Sequence, residues 1–202
     1  MSDFVIGLTG GVASGKTAAT RAFEALDVHV ADADIAARDA VAMGSDGLAE
    51  VVHAFGMEVL APDGGLDRAA MRQRIFADPT ARARLEAIIH PRVRRQLEAA
   101  CRAAPGPYAV AAIPLLAEGG RGAYPWITRV LVIDVPEAVQ IARLLQRDGI
   151  DLALAQGMIE AQADRMARLA IADDVIVNDR TLAELAAHVE AMDARYRGLV
   201  RT

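Results

Sequence analysis

The segment Gly10-Gly11-Val12-Ala13-Ser14-Gly15-Lys16-Thr17 has the spacing G-x-x-x-x-G-K-[ST]. Its chemistry is phosphate binding. Successive backbone N–H groups converge on one point, and the following helix adds the partial positive charge of its N-terminus. Gly11, Val12, Ala13, Ser14, Gly15, Lys16, Thr17 and Ala18 would form the cradle. Lys16 would reach the outer phosphates of a nucleotide, and Thr17 would offer its hydroxyl to Mg²⁺. The competing reading is a plain glycine-rich strand-to-helix turn. Lysine usage argues against it, because every other basic side chain among the 22 is arginine. A compact ammonium on a flexible stem reaches a phosphate in a way that the planar guanidinium does not reproduce. The same count disfavours a regulatory GTPase, whose guanine-reading N-K-x-D motif needs a second lysine.

Other residues could act on such a phosphate. Asp32-Ala33-Asp34 follows a short apolar run, and in an extended segment its two carboxylates would point to the same side. One could take the proton of an attacking hydroxyl while the other holds Mg²⁺ through water. Capping of the next helix is the competing role, and aspartate does that well. Arg143 and Arg147 lie four apart on a helix and share a face. They could clamp a developing phosphoryl charge or lie in solvent. Arg92, Arg94 and Arg95 after His90-Pro91 could bind an anionic group or be exposed, and His90 reads as a turn or helix-boundary residue. No His/Cys group has metal-ligand spacing, and there is no serine-nucleophile elbow.

These residues need a framework to hold them. Asp3–Thr9 is a short apolar run stopped by Gly10-Gly11, which reads as a buried strand. Lys16–Leu26 reads as a helix, with Ala18, Ala19, Ala22, Phe23 and Leu26 on one stripe. Val28–Ala31, Tyr108–Ile113, Arg129–Asp134 and Asp174–Val177 complete five strands. Helices are expected over Glu137–Arg147, Asp151–Ala163 and Thr181–Arg197. Between the second and third strands, Asp34–Arg102 reads as helical, broken at Met43–Ser45 and Ala61–Gly65. Within it, Asp78-Pro79 opens a helix, with the proline at the first helical position. Alternating strands and helices predict a mostly parallel sheet covered on both faces, and the helix-only block is too long for one crossover.

Composition bounds the function. The 202 residues are ample for one core with an inserted subdomain. A net charge of −5 argues against nucleic-acid binding, which needs a basic face. Cys101 stands alone and cannot form an internal disulfide, so a reducing, cytoplasmic setting is expected. The apolar runs are too short and too interrupted by charge to span a membrane. Met1–Leu8 carries Asp3 and no basic stretch, unlike a signal peptide.

From nearly end to end the chain also resembles the dephospho-coenzyme A kinase family. The landmarks are Gly7–Gly11 running into Ser14–Thr17, then Asp32–Asp34 with Ala37-Arg38, and Leu66–Arg68 with Ile75-Phe76. Leu85–Pro91, Pro114–Leu116 with Glu118, and Asp134–Pro136 follow. Gln140, Arg143-Leu144, Arg147-Asp148, and Ala172-Asp173 with Asn178 close the series. The resemblance implies a three-layer α/β P-loop NTPase fold with a five-stranded parallel sheet. In it, residues 1–34, 105–145 and 171–202 form the nucleotide-binding core, 35–104 the helical substrate region and 146–170 a lid. The implied activity is transfer of the ATP γ-phosphate to the ribose 3′-hydroxyl of dephospho-coenzyme A, the last step of coenzyme A synthesis, in a monomeric enzyme using Mg²⁺.

By matching position, Asp34, Lys16 and Arg143 are implied to be catalytic, and Arg147 and Asn178 to join the loop in holding ATP. Asp32, Asp34, Arg38, His90, Arg94, Leu115 and Glu118 are implied to bind the acceptor, with Thr17 and Asp32 at the metal. Adenine is expected to be read by lid and late-loop residues near Asn178 and Arg180. The chain departs from the family pattern at Ala13, where a glycine is usual, at Ala117, and at Met158-Ile159 before Gln162, where arginine-isoleucine is usual. Two other classes suit the loop alone: a slowly hydrolysing ATP-binding module, and a P-loop kinase acting on a nucleoside, nucleotide or sugar acid. The aspartate pair speaks against the module, since a pure switch needs no base for an acceptor hydroxyl.

Overall fold

The computed structural model describes residues 2–201, so Met1 and Thr202, the outer ends of the expected core, lie outside the described residues. In chain order the elements are β1 (Val5–Thr9), α1 (Lys16–Glu24), β2 (Val30–Asp32), α2 (Ala33–Asp39), α3 (Asp46–Phe55), α4 (Arg68–Ala77) and α5 (Pro79–Ala103). Then come β3 (Ala109–Ala112), α6 (Leu116–Gly119), β4 (Arg129–Asp134), α7 (Glu137–Asp148), α8 (Leu152–Glu160), α9 (Arg165–Ala170), β5 (Asp174–Val177) and α10 (Leu182–Val200). Short 3₁₀ turns occupy Met57–Val59 and Arg121–Ala123. The chain divides into two compact units, Met1–Ala31 with Ala100–Thr202, and Asp32–Ala99.

The first unit is built on a five-stranded sheet in the order β2-β3-β1-β4-β5. β1 pairs in parallel with β3 and β4, and β4 with β5. Every residue of β1 and β3 is buried, which is why these strands read as unbroken apolar runs and not as alternating ones. Ile6, Leu8, Phe23, Val110, Leu131, Ile133 and Leu185 make the core, closed by an edge-to-face pair of Tyr108 and Tyr196 with ring centroids 5.5 Å apart. Each tyrosine hydroxyl donates to a carboxylate, Tyr108 to Asp193 at 2.7 Å and Tyr196 to Asp174 at 3.1 Å. Burial and these carboxylates hold both phenols protonated, with pKa values pushed above their usual range.

Because the strands are parallel, their carboxyl ends share one rim. The loop after β1, Asp134 at the end of β4 and Asn178 just past β5 all lie on it, and the strand order reverses at β1, where an open sheet forms its ligand crevice.

The second unit has its own core of Val41, Val51, Phe55, Val59, Met71, Ala81, Leu85 and Ile88. Its helices start where side chains can accept the first open N–H groups: Ser45 caps α3, Asp67 caps α4, and Asp78 accepts from the Thr80 N–H at 2.8 Å. His90-Pro91 is not a helix boundary. α5 runs 25 residues straight through Pro91. The proline forfeits one bond to the Ala87 carbonyl, but buried Leu85, Ile88, Val93, Leu97 and Cys101 recur along one face and outweigh that loss. The stretch Asp151–Ala163 also differs from the single helix expected of it. Helix α8 stops at Glu160, and α9 begins anew after Asp164, whose side chain accepts from the Ala167 N–H at 2.7 Å.

Candidate active site

The loop after β1 turns its carbonyls outward, and side chains from several elements meet each of them. Lys16 Nζ donates to the carbonyls of Gly10 at 2.7 Å and Gly11 at 3.2 Å. Gln140 Nε2, from α7, donates to the Val12 carbonyl at 2.7 Å, and Arg143 Nη1 to the Ala13 carbonyl at 3.2 Å. Asn178 Nδ2, from beyond β5, donates to the Ser14 carbonyl at 2.7 Å. Five successive carbonyls are engaged in this way, while the Val12 N–H is taken by Gln162 Oε1 at 2.7 Å and the Ser14 N–H by the Gly11 carbonyl at 3.2 Å, so the nest rests on the remaining N–H groups of the turn. Gly15, at φ 95°, is the N-cap of α1 and has no side chain to cap its first turn, which points its N–H groups toward the loop.

Ala13 lies at φ 57°, in the left-handed region. The glycine usual there would adopt that conformation at no steric cost, whereas alanine must be held in it. Ser14 is buried with its hydroxyl unpartnered. Thr17 is exposed on the first turn of α1. Among the described residues no group of three or more His, Cys, Asp or Glu is arranged for a metal. A magnesium ion brought with a nucleotide would find the Thr17 hydroxyl as its side-chain ligand here, with phosphate and water supplying the other oxygens.

The aspartate pair folds differently from an extended segment. β2 ends at Asp32 and α2 begins at Ala33, so Asp34 lies in a first helical turn. Asp32 is the N-cap, its Oδ1 accepting from the N–H of Asp34 at 2.7 Å and of Ile35 at 3.3 Å. Asp32 caps the helix, and Asp34 is exposed two residues past the strand end.

A model of the dephospho-CoA kinase family matches residues 4–184. The chain belongs to that family. A dephospho-CoA kinase from Xanthomonas campestris is 54% identical over 203 residues, covering 100% of this chain and 98% of the relative. A crystal structure of a Thermus thermophilus protein aligns with TM-score 0.79 at 27% identity, over 95% of this chain and 97% of the other. Dephospho-CoA kinase from Campylobacter jejuni has the same fold, with TM-score 0.73 at 23% identity over 98% of this chain and 99% of its own.

Within this dephospho-CoA kinase family member the arginines have distinct placements. Arg143 donates through Nη1 to the loop and through Nη2 to the Asn178 carbonyl at 2.8 Å, so it braces loop and strand end together. Arg147 does not join it. Its Nε and Nη2 bind the adjacent Asp148 at 2.6 and 2.7 Å. That pairing raises the pKa of Arg147 and lowers that of Asp148. Arg165 is committed to buried Asp134, with Nη2 at 2.6 Å from Oδ2. Arg168 is buried, donates to the Ala163 carbonyl, and lies close over Gly11.

Of the residues implied to bind the acceptor, Leu115 is exposed. Glu118 accepts from the Ala163 N–H at 2.8 Å. Arg38 and His90 are exposed in the helical unit, and Arg94 is half-buried on α5. A cleft of about 320 Å³ beside Asn178 is lined by Asp179, Arg180, Thr181, Glu184 and His188. Two participants were not assigned a role from sequence, Gln140 and Gln162. The Val12 N–H donates to Gln162 Oε1 at 2.7 Å. No periodicity singles out Gln140, whose neighbours one turn away on α7 include Glu137 and Arg143 as well as Leu144.

Proposed function

We propose that the chain phosphorylates the ribose 3′-hydroxyl of dephospho-coenzyme A with ATP, giving coenzyme A and ADP. The observation that carries this reading is the loop itself: carbonyls 10–14 turned to side-chain donors, a helix N-terminus without a side-chain cap and Lys16 at hand, in a chain matching the family over residues 4–184. In the reaction the bond from Pγ to the β,γ-bridging oxygen breaks, and a bond from Pγ to the ribose O3′ forms. The hydroxyl proton passes to the Asp34 carboxylate, and ADP leaves with its new charge held by the loop N–H groups and Lys16. Bound beside Thr17, a magnesium ion would neutralise charge on the β- and γ-phosphate oxygens, with Asp32 near it through water. Catalysis is then positioning and electrostatics with no covalent enzyme intermediate.

The cleft of about 320 Å³ by Asn178 and Arg180 is the proposed adenine site. Residues 35–104 are proposed to bind the acceptor, with Arg38, His90 and Arg94 among its contacts, and residues 146–170 to serve as the lid. No described helix is long and apolar enough to cross a membrane, and the proposed setting is a monomer in the cytoplasm. One coupled assay tests the reading: ADP formation with dephospho-coenzyme A, nucleoside monophosphates, gluconate, or no acceptor. Turnover with dephospho-coenzyme A well above the other arms is the expected result. Equal ADP with and without acceptor would instead favour a hydrolysing module.

A further inference from the structure

We infer that Gln140 and Gln162 are positioning residues for the phosphate loop, gripping both backbone polar groups of Val12 so that the next residue, Ala13, stays left-handed. The two side chains come from different places, Gln140 from α7 and Gln162 from the link between α8 and α9. They meet one residue from opposite polarity. Gln140 Nε2 donates to the Val12 carbonyl at 2.7 Å, and the Val12 N–H donates to Gln162 Oε1 at 2.7 Å. Both bonds are short for an amide pair.

The need for such a grip is visible one residue on. Ala13 lies at φ 57°, and the only other described non-glycine residue with positive φ is Asp27, of a kind that tolerates it. A Cβ disfavours this region by roughly tenfold or more, so the loop would relax to negative φ and swing its N–H out of the nest unless held. Gly15, by contrast, reaches its φ of 95° without help. The grip is built closely. A Cβ on Gly11 would come within 2.6 Å of Gln140 Nε2 and 3.0 Å of Arg168 Nη2, so only glycine lets these side chains lie over the loop. Gln140 is 2% exposed. Gln162 is held in turn through its neighbour: the Ala163 N–H donates to Glu118 at 2.8 Å, and the Ala163 carbonyl accepts from Arg168. Glutamines that merely filled space would not converge on the backbone of the residue preceding the strained one.

The inference rests on reading the loop as the ATP site, and the test separates the two. ATP affinity is measured by calorimetry on the full chain for wild type, Gln140→Ala, Gln162→Ala, and both of these over Ala13→Gly. The KM for dephospho-coenzyme A and the thermal midpoint are read alongside. Each alanine variant should weaken ATP binding about tenfold, the cost of leaving a backbone group unpaired in a closed site, and leave the KM for dephospho-coenzyme A within about twofold. Over Ala13→Gly the penalty should shrink to about threefold or less, because glycine needs no holding. Gln162→Glu keeps an acceptor for the Val12 N–H. Gln140→Glu sets an oxygen against the Val12 carbonyl and should cost several-fold more, although both add the same charge. Unchanged ATP affinity with a lowered thermal midpoint would make the glutamines merely structural and overturn the inference. So would a penalty undiminished over Ala13→Gly, or equal effects of the two glutamate variants. A wild-type chain that binds no ATP would overturn the site reading and this inference together.

Discussion

Arg143 separates two accounts of how this enzyme family member handles charge. If it clamps the transferring phosphoryl group, its removal should cut turnover. The structure instead has it bracing the loop, with Nη1 3.2 Å from the Ala13 carbonyl and Nη2 2.8 Å from the Asn178 carbonyl. Arg143→Ala therefore strips donors from two backbone acceptors. Hydrogen bonds from a charged group are worth about 1.5–3 kcal/mol each when well buried. Arg143 is half-buried and the longer bond is ordinary, so discounting for solvent leaves roughly 2 kcal/mol for the pair. That corresponds to a roughly 30-fold weaker ATP affinity. Because the lost energy lies in the ground state of the loop, the KM for ATP should rise with Kd, while kcat at saturating ATP should fall no more than about threefold. Calorimetric ATP titration with steady-state kinetics on the same preparation reads both quantities. A 100-fold or larger loss of kcat with ATP affinity unchanged would refute the bracing account and return Arg143 to the transition state.

Three further outcomes follow from the site and the core. Lys16→Arg keeps the charge but loses the compact ammonium, and kcat/KM should drop by about 100-fold or more; near-wild-type activity would reduce the solitary lysine to composition. Asp34→Asn should leave ATP affinity within a few-fold while turnover falls by orders of magnitude, and retained turnover with dephospho-coenzyme A would remove Asp34 as the base. Burial pushes the Cys101 thiol up to about 12, so at pH 8 it should stay protonated and resist a disulfide reagent in the native protein, yet react at once in denaturant. Rapid labelling of the native chain would contradict that burial.

Local pattern and tertiary packing left different marks along the chain. β4 occupies the residues its apolar run marks out, because a doubly covered parallel strand imposes an unbroken apolar segment, and β5 does so at the sheet edge, where Asp174 and Ile176 are buried and Val175 and Val177 exposed. The interruptions of the helical block at Met43–Ser45 and Ala61–Gly65 were equally legible, since glycine and proline act on the nearest few bonds. Pro91 was misread for the complementary reason. The penalty of a proline is local, but buried residues flank it along α5 on both sides, Leu85 and Ile88 in the core shared with α3 and α4, and Val93, Leu97 and Cys101 beyond the proline. The Asp32-Ala33-Asp34 segment failed similarly, because the capping bonds from Asp32 start the helix one residue too early for the two carboxylates to remain parallel.

By itself the sequence determined that a phosphate loop exists, which lysine serves it, and to which family the chain belongs, since each rests on residue types at fixed spacing along a contiguous segment. Only the tertiary structure decided how that loop is held. Gln140, Arg143, Gln162 and Asn178 lie more than a hundred positions from Val12, Ala13 and Ser14 in the chain, and parallel strands with their crossovers bring them to one rim. A side chain that binds a distant carbonyl leaves no periodicity behind. The bond, and the strained Ala13 beside it, come into view only when the chain is folded.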